Sequence, residues 1–346
     1  MRLLLVAPFG PGALAKCYER AFQVLNCEVI RFDETLHYQE VARWHRSKVV
    51  TRLFSWWVES RWNQRFIVAV KDVRPDLVLV LKGGLVLKKT LEEIKQLYKP
   101  VLFCFNPDDP FNTWHRGSSN KNIRSAIPVY DSYFIWSHKL IPSIKEAGSN
   151  DVRYLPFGFD PAIHYPQNPI ELDPKVLRRD VVFVGNWDEE RELWLNHLTD
   201  FDLAIWGAGY WYSRCKTPLL RKKWMGTPVY EEKMTEVFYG SRISINILRK
   251  QNKGAHNMRT FEAPACGVFT LAERSEEHLQ FFVEGKEAEY FASPQELIDK
   301  IRYYLDHESK REEIAKRGYK RCIKSDYSYL SRSREVLKAY RGITDS

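Results

Sequence analysis

The chain has no run approaching the roughly eighteen uncharged apolar residues that a membrane-crossing helix needs, so none of its segments reads as a span. Its six cysteines, Cys17, Cys27, Cys104, Cys215, Cys266 and Cys322, stand far apart without a CxxC pair. That spacing argues against a disulfide framework and against a zinc site, and makes buried free thiols the expectation. No GxGxxG follows the first strand, where Gly10, Pro11 and Gly12 form only a tight loop, so dinucleotide binding is disfavoured. There is also no GxxxxGK[ST] and no HExxH, and the adjacent Asp108-Asp109 is not a DxD cradle. Metal independence and the lack of a resident cofactor are therefore expected. No secretory layout precedes the strand-like residues 3–6, which points to the cytoplasm.

What is present is an ordinary globular composition, 44% hydrophobic and 28% charged, over 346 residues. That length exceeds what one core usually organises, so two α/β domains of roughly 150 to 180 residues each are expected. The formal net charge of +9 calls for anionic company: nucleic acid, an acidic membrane surface or a phosphorylated small molecule. Zinc-finger spacing, a compact helix-turn-helix and an RNP-like strand are all missing, which moves a phosphate-bearing ligand ahead of nucleic acid.

Short apolar runs at 3–7, 28–32, 77–81, 101–105, 133–136 and 152–155 alternate with stretches of helical periodicity, the pattern of β-α-β units on a parallel sheet. A second series follows at 181–184, 203–206, 243–248, 268–271 and 290–291. Between them, Pro156, Pro161, Pro166, Pro169 and Pro174 give the breaker density of a linker. The boundary is expected near residue 170, with domains 1–170 and 171–346 and a hinge near 156–170. Residues 294–340 read as helices, with Ser293, Pro294 and Glu296 as the start signal.

The segment 43–66 carries Arg43, Arg46, Lys48, Arg52, Arg61 and Arg65 among Trp44, Trp56, Trp57 and Trp62. A long core-packing helix with a solvated basic face is the plain expectation. Contact with an anionic membrane or acceptor is the sharper one.

The densest chemistry lies between the strands at 243–248 and 268–271. Arg249, Lys250, Lys253, His256 and Arg259 crowd a loop that enters a short helix at the C-terminal edge of a sheet, where α/β proteins bind ligands. Helix N–H groups and these cations suit a diphosphate. Glu262 lies three residues beyond Arg259 on the same helical face and can accept from two vicinal hydroxyls of a ribose. A surface Arg–Glu pair among solvated cations is the plain alternative. The turn Gly185-Asn186, followed by Arg191, borders the same edge and is equally readable as a simple strand-to-helix turn. Trp206, Gly207 and Gly209 can wall a base, and Trp206 is equally readable as a core residue. In the first half, Asp108, Asp109, Asn112 and His115 follow the strand at 101–105, where a carboxylate or imidazole could take a proton from an acceptor hydroxyl. Asp109-Pro110 is equally turn chemistry. His138 is better read as a satisfied structural histidine.

Residues 256–267, HNMRTFEAPACG, with Glu273-Arg274-Ser275-Glu276-Glu277, Phe281-Phe282, Glu284-Gly285-Lys286-Glu287 and Gly318-Tyr319, resemble the CgeB-like, spore-maturation-type glycosyltransferases of the GT-B superfamily. The likeness is close over the last third and looser at residues 106–110, 155–158 and 182–185. It implies two Rossmann-like domains facing a cleft, with C-terminal helices, the first domain taking a hydroxyl acceptor and the second a nucleotide sugar, UDP-linked by preference. It gives Glu262 the place of the family's ribose-binding glutamate. Arg259, Asn257, His256, Lys253, Arg249, Gly185, Asn186 and Arg191 complete the expected donor site, and Asp109, His115 and Asp108 the expected catalytic set. In retaining relatives a second glutamate stands eight residues before the first, and here that position is Gly254. A nucleotide-sugar 2-epimerase and a noncatalytic GT-B-like scaffold or nucleic-acid binder are the rival readings.

Overall fold

A computed structural model describes residues 1–42, 55–113, 118–166 and 179–345. The chain divides into two compact units, Met1–Pro156 together with Tyr329–Ser346, and Phe157–Ser328.

In the first unit β1 (Arg2–Ala7), α1 (Leu14–Val24), β2 (Glu28–Asp33), α2 (Glu34–Ala42) and α3 (Ser55–Val73) lead to β3 (Leu77–Leu81). The chain continues through α4 (Lys88–Leu97), β4 (Val101–Asn106), α5 (Lys121–Ala126), β5 (Ser132–Ile135), α6 (Ile141–Glu146) and β6 (Val152–Tyr154). The strands lie in the order β2-β1-β3-β4-β5-β6, and every pairing is parallel. Leu77 to Leu81 are buried at every position, which is why this stretch reads as an unbroken apolar run: a parallel strand covered on both faces has no solvent side to alternate with. On α3 the buried residues Val58, Trp62, Phe66 and Val70 form one stripe, as core packing requires, whereas Trp56 is 67% exposed. The basic residues 43–54 lie outside the described residues.

The second unit holds β7 (Arg179–Val184), α7 (Glu189–Asn196), β8 (Leu203–Trp206), α8 (Tyr210–Ser213), α9 (Pro218–Lys223) and α10 (Glu231–Tyr239). Then come β9 (Ser241–Asn246), α11 (Arg259–Ala265), β10 (Phe269–Glu273), α12 (Glu276–Phe281), β11 (Glu289–Phe291), α13 (Pro294–Asp306) and α14 (Glu308–Lys324). Its strand order is β11-β10-β9-β7-β8, again parallel throughout. The α13 start signal is realised: Ser293 caps the helix by accepting from the Glu296 N–H at 3.2 Å, with Pro294 in the first turn.

Two sequence boundaries shift. The first unit ends at Pro156, ahead of the expected division at 170, and the last helix, α15 (Tyr329–Thr344), belongs to the first unit, although the sequence groups it with the second. The physical reason is packing. The buried Tyr329, Val336 and Ala339 give α15 an apolar face, and α1 covers it, with the Tyr18 and Tyr329 rings 5.3 Å apart.

Candidate functional site

In the second unit the strand order reverses direction between β7 and β9: the chain runs from β7 outward to β8, then returns to the other side of β7. Open α/β sheets bind ligands beyond the carboxyl ends of the strands flanking such a switch point. Gly185 and Asn186 follow β7 there, and Ile247, Leu248 and Arg249 follow β9. The Arg191 side chain, buried and lying over the Phe183 ring, ties the two loops together. Its guanidinium donates to the Ile247 carbonyl from Nε and Nη2 and to the Asn186 carbonyl from Nη1. Burial, with Arg249 and Arg259 close by, pushes its pKa down to about 9.

The loops leave no slack. A Cβ on Gly207 would lie 2.2 Å from the Gly185 carbonyl oxygen, and both indole N–H groups nearby are used locally: Trp211 donates to the Gly185 carbonyl and Trp224 to that of Gly207. Asn186 Oδ1 accepts from the Ala208 N–H at 3.2 Å.

Beneath the 253–262 segment lies a buried polar floor. His278 Nδ1 is 2.8 Å from the Glu273 carbonyl, which can only accept, so Nδ1 carries the proton and Nε2 accepts from the Thr260 hydroxyl at 2.8 Å. This neutral state agrees with a pKa that burial lowers to about 4. Asn246 joins the network, donating to Thr260 Oγ1 and accepting from Asn257 Nδ2 at 2.7 Å. His256 is fully buried: Nε2 accepts from the Phe157 N–H at 3.1 Å and Nδ1 lies 2.5 Å from Glu277 Oε2.

Above this floor, Arg259 donates from Nε to the Val184 carbonyl at 3.1 Å and from Nη1 to Glu262 Oε2, which joins α11 to the end of β7. Glu262 is buried, with Oε2 on Arg259; Oε1 has no hydrogen-bonding partner among the described residues and is not one of the solvent-excluded unpaired atoms. Arg249 is half-buried, and its Nε is solvent-excluded without a partner. Such an atom costs free energy unless a ligand or water meets it.

The structure brings some of the residues expected at the donor site together and turns others elsewhere. Arg249, Arg259, Glu262, Asn186 and Gly185 come together at the β7/β9 edge. Arg191 and His256 have their polar atoms on carbonyls, a backbone N–H and a carboxylate. Lys253 is paired with Glu273 and, at 2.9 Å, with Glu190, while Asn257 belongs to the floor. The helix α11 spans only seven residues, so the arginines carry more of the argument for an anion than its dipole does. Thr260, His278 and Asn246 were not found in the sequence; a buried Asn and Ser alternating with isoleucines in β9 was the available signal.

At the corresponding edge of the first unit, Lys82 Nζ pairs with Asp108 Oδ2 at 2.5 Å, and the Lys82 backbone sits at φ 76°, a strained setting for a side-chain-bearing residue. Asp109 Oδ1 accepts from the Phe111 N–H at 2.8 Å, an Asx turn, so the turn expectation holds for this oxygen. Asn112 is buried, and His115 lies outside the described residues. His138 is exposed and stacks on Tyr154 with ring centres 3.6 Å apart. Among the described residues no group of three His, Cys, Asp or Glu side chains is placed to hold a metal ion. None of the described helices is long and apolar enough to cross a membrane.

Residues 190–338 match a family described as Glycosyl transferase-like. No curated protein matches the sequence significantly. Among solved structures, a sucrose-phosphate synthase from Thermosynechococcus elongatus aligns over 99% of both chains at 12% identity, with a TM-score of 0.72. HepE from Anabaena, in complex with UDP and glucose, aligns over 99% of this chain and 100% of its own at 13% identity and a TM-score of 0.67. A Listeria monocytogenes protein, provisionally described as a UDP-N-acetylglucosamine 2-epimerase, aligns over 100% and 97% at 12% identity and a TM-score of 0.58. The chain therefore carries the GT-B fold along its whole length, with a glycosyl transferase-like region at residues 190–338.

Proposed function

We propose that this protein is a glycosyltransferase that moves a hexosyl group from a UDP-linked sugar to a hydroxyl on a glycan, lipid-linked or protein acceptor. The observation that carries the reading is the Arg259–Glu262 pair at the β7/β9 switch point, beside an Arg249 whose Nε lacks a partner. Glu262 Oε1 accepts from a ribose hydroxyl, and Arg249 and Arg259 meet the diphosphate. When the bond from the sugar's anomeric carbon to the diphosphate oxygen breaks, charge grows on the leaving group, and preorganised guanidinium groups stabilise it without a metal ion. UDP as the nucleotide is supported by the fold shared with HepE, whose structure holds UDP and glucose. The CgeB-like subtype rests on residues 256–267 and the motifs that follow them.

The first unit receives the acceptor in this reading, and its Asp108-Asp109 edge takes the hydroxyl proton as the new bond to the anomeric carbon forms. The Asx turn uses Asp109 Oδ1, which leaves Oδ2 for the hydroxyl; Asp108 is held by Lys82. Asp109→Asn keeps an oxygen for the turn and removes the base. Turnover is expected to fall by roughly a hundredfold or more with nucleotide binding unchanged. Full turnover in that variant would remove Asp109 from the chemistry.

A cavity of about 1010 Å³ in the first unit, lined by Val41, Trp56, Trp57, Arg61, Arg65 and Val68 among others, supports peripheral contact of this unit with an anionic membrane or lipid-linked acceptor at the cytoplasmic face. The activity is tested by product analysis after a thermal-shift panel of UDP, GDP, CMP, dTDP and their sugars. A ligand at a hundred times its Kd stabilises by about 2.7 kcal/mol. Sugar transfer that requires acceptor supports the proposal. Conversion of the donor without acceptor is the epimerase outcome, and no turnover is the scaffold outcome.

A further inference from the structure

The second unit has a surface that donor binding does not use. Between Asp202 and Glu231 the chain contains no acidic residue and five basic ones, Arg214, Lys216, Arg221, Lys222 and Lys223. The helices α8 and α9 turn Trp211 and Leu220 into the core and present their other sides to solvent. As a result Tyr212 is 68% exposed and Leu219 is 53% exposed, with cations beside both in the chain. The Tyr212 and Trp224 rings lie 6.1 Å apart, which joins α8 to the end of α9. A six-residue helix is only about 9 Å long, so Leu219, Arg221 and Lys222 lie within that span along α9, and the ring contact brings Tyr212 to Trp224 at its end.

The charges on this face differ in how they are used. Lys216 reaches Glu189 at 3.1 Å, Lys223 donates to the Phe201 carbonyl at 2.8 Å, and Arg214 lies over the Tyr210 ring at 4.5 Å. Arg221 and Lys222 are exposed and have no carboxylate partner among the described residues. A solvated basic face needs no tyrosine or leucine beside it, and phosphate chains of nucleic acid gain nothing from an exposed leucine. A bilayer surface uses both: anionic headgroups attract the cations, at about 1 kcal/mol per Lys or Arg, and aromatic and aliphatic side chains sit at the headgroup boundary.

We infer that the α8–α9 face docks on an anionic phospholipid surface, with Arg221 and Lys222 at the headgroup phosphates and Tyr212 and Leu219 seated at the interface. This contact is separate from the one proposed for the first unit, since it rests on residues 202–231, and it does not depend on the donor reading.

The test is co-sedimentation of the full chain with vesicles of three parts phosphatidylcholine to one part phosphatidylglycerol, against phosphatidylcholine alone. Arg221→Ala/Lys222→Ala is expected to lower the partition coefficient on the anionic vesicles about thirtyfold. Tyr212→Ser/Leu219→Ser is expected to lower it about tenfold or more. All four side chains are exposed, and an unchanged melting temperature verifies that the variants fold. Wild-type partitioning in both double variants overturns the inference, as does equal binding of the wild type to the neutral vesicles. Binding to a single-stranded RNA that falls only in the charge variant, with vesicle binding unaffected, overturns it in favour of nucleic acid. The assay contains no nucleotide, so failure of the donor site and failure of this surface are seen separately.

Discussion

Counted from its own first strand, each unit begins with the same order, second, first, third, fourth, fifth, and each places its polar loops at the carboxyl edge of that sheet. The two edges nevertheless carry opposite chemistry. At the β7/β9 edge, arginines surround a buried, fully hydrogen-bonded floor of Asn246, Thr260 and His278. At the first unit's edge, Lys82 holds Asp108, and Glu34 keeps a solvent-excluded Oε1 without a partner. In open α/β sheets topology sets where a ligand can sit, and loop side chains set what it can be. A cationic rim over a rigid floor suits an anion, while carboxylates beside one lysine suit proton transfer.

The largest effect should come from the cationic edge. Glu262→Gln keeps the shape and removes the charge, and Arg259→Ala removes both the Glu262 partner and the link to Val184. A hydrogen bond to a charged group contributes about 1.5–3 kcal/mol, so each variant should weaken nucleotide binding by about ten- to a hundredfold in calorimetry. Lys82→Ala, at the other edge, should leave nucleotide affinity unchanged. Equal losses at both edges would erase the distinction between them.

A smaller effect tests the rigidity of the β7/β9 edge. Gly207→Ala puts a Cβ against the Gly185 carbonyl, a backbone atom that cannot move aside alone, whereas Gly209 has open space around it. Overpacking of this kind costs about 1–3 kcal/mol, so Gly207→Ala should lower the melting temperature and loosen nucleotide binding while Gly209→Ala changes neither. Matching melts for the two variants would show that the loops are softer than their contacts indicate.

Much of this was legible in the residues. The eleven strands among the described residues and the α13 cap follow from apolar runs and from Ser293-Pro294, because parallel strands and capped helices are local signals. The Arg259–Glu262 pair followed from helical spacing. What was not legible depends on distance in the chain. Tyr329 packs on Tyr18 across most of the sequence, so the return of α15 to the first unit has no local mark. The commitment of His256 to Phe157, and of Arg191 to Ile247, likewise needs partners that only folding brings near. His256, in its basic loop, and Arg191, on α7, read as ligand contacts in the sequence because their carbonyl, amide and carboxylate partners are distant in it.

The subtlest contrast is in protons. Burial raises the Glu34 carboxyl from 4.5 to about 8, with Lys82 opposing and Asp33 adding to the shift, whereas burial lowers His278 from 6.5 to about 4. Folded Glu34 keeps a proton that the unfolded chain releases, so its contribution to stability is complete below 4.5 and is lost as pH rises to about 8. Folded His278 refuses a proton that the unfolded chain accepts, so its contribution is complete above 6.5 and is lost as pH falls to about 4. Each proton changes stability by at most about 1.4 kcal/mol per pH unit within its window. The two windows overlap between 4.5 and 6.5, where the slopes cancel, so denaturant melts should show an acidic rise below 4.5, a level stretch, and an alkaline slope downward from 6.5 to about 8. Glu34→Gln should flatten the alkaline slope and extend the rise to 6.5, and His278→Gln should remove the rise and extend the fall down to 4.5. If Glu34→Gln left the alkaline slope intact, the first unit's edge would hold its carboxylates charged, and the contrast between a proton-handling edge and an anion-binding edge would fail at that point.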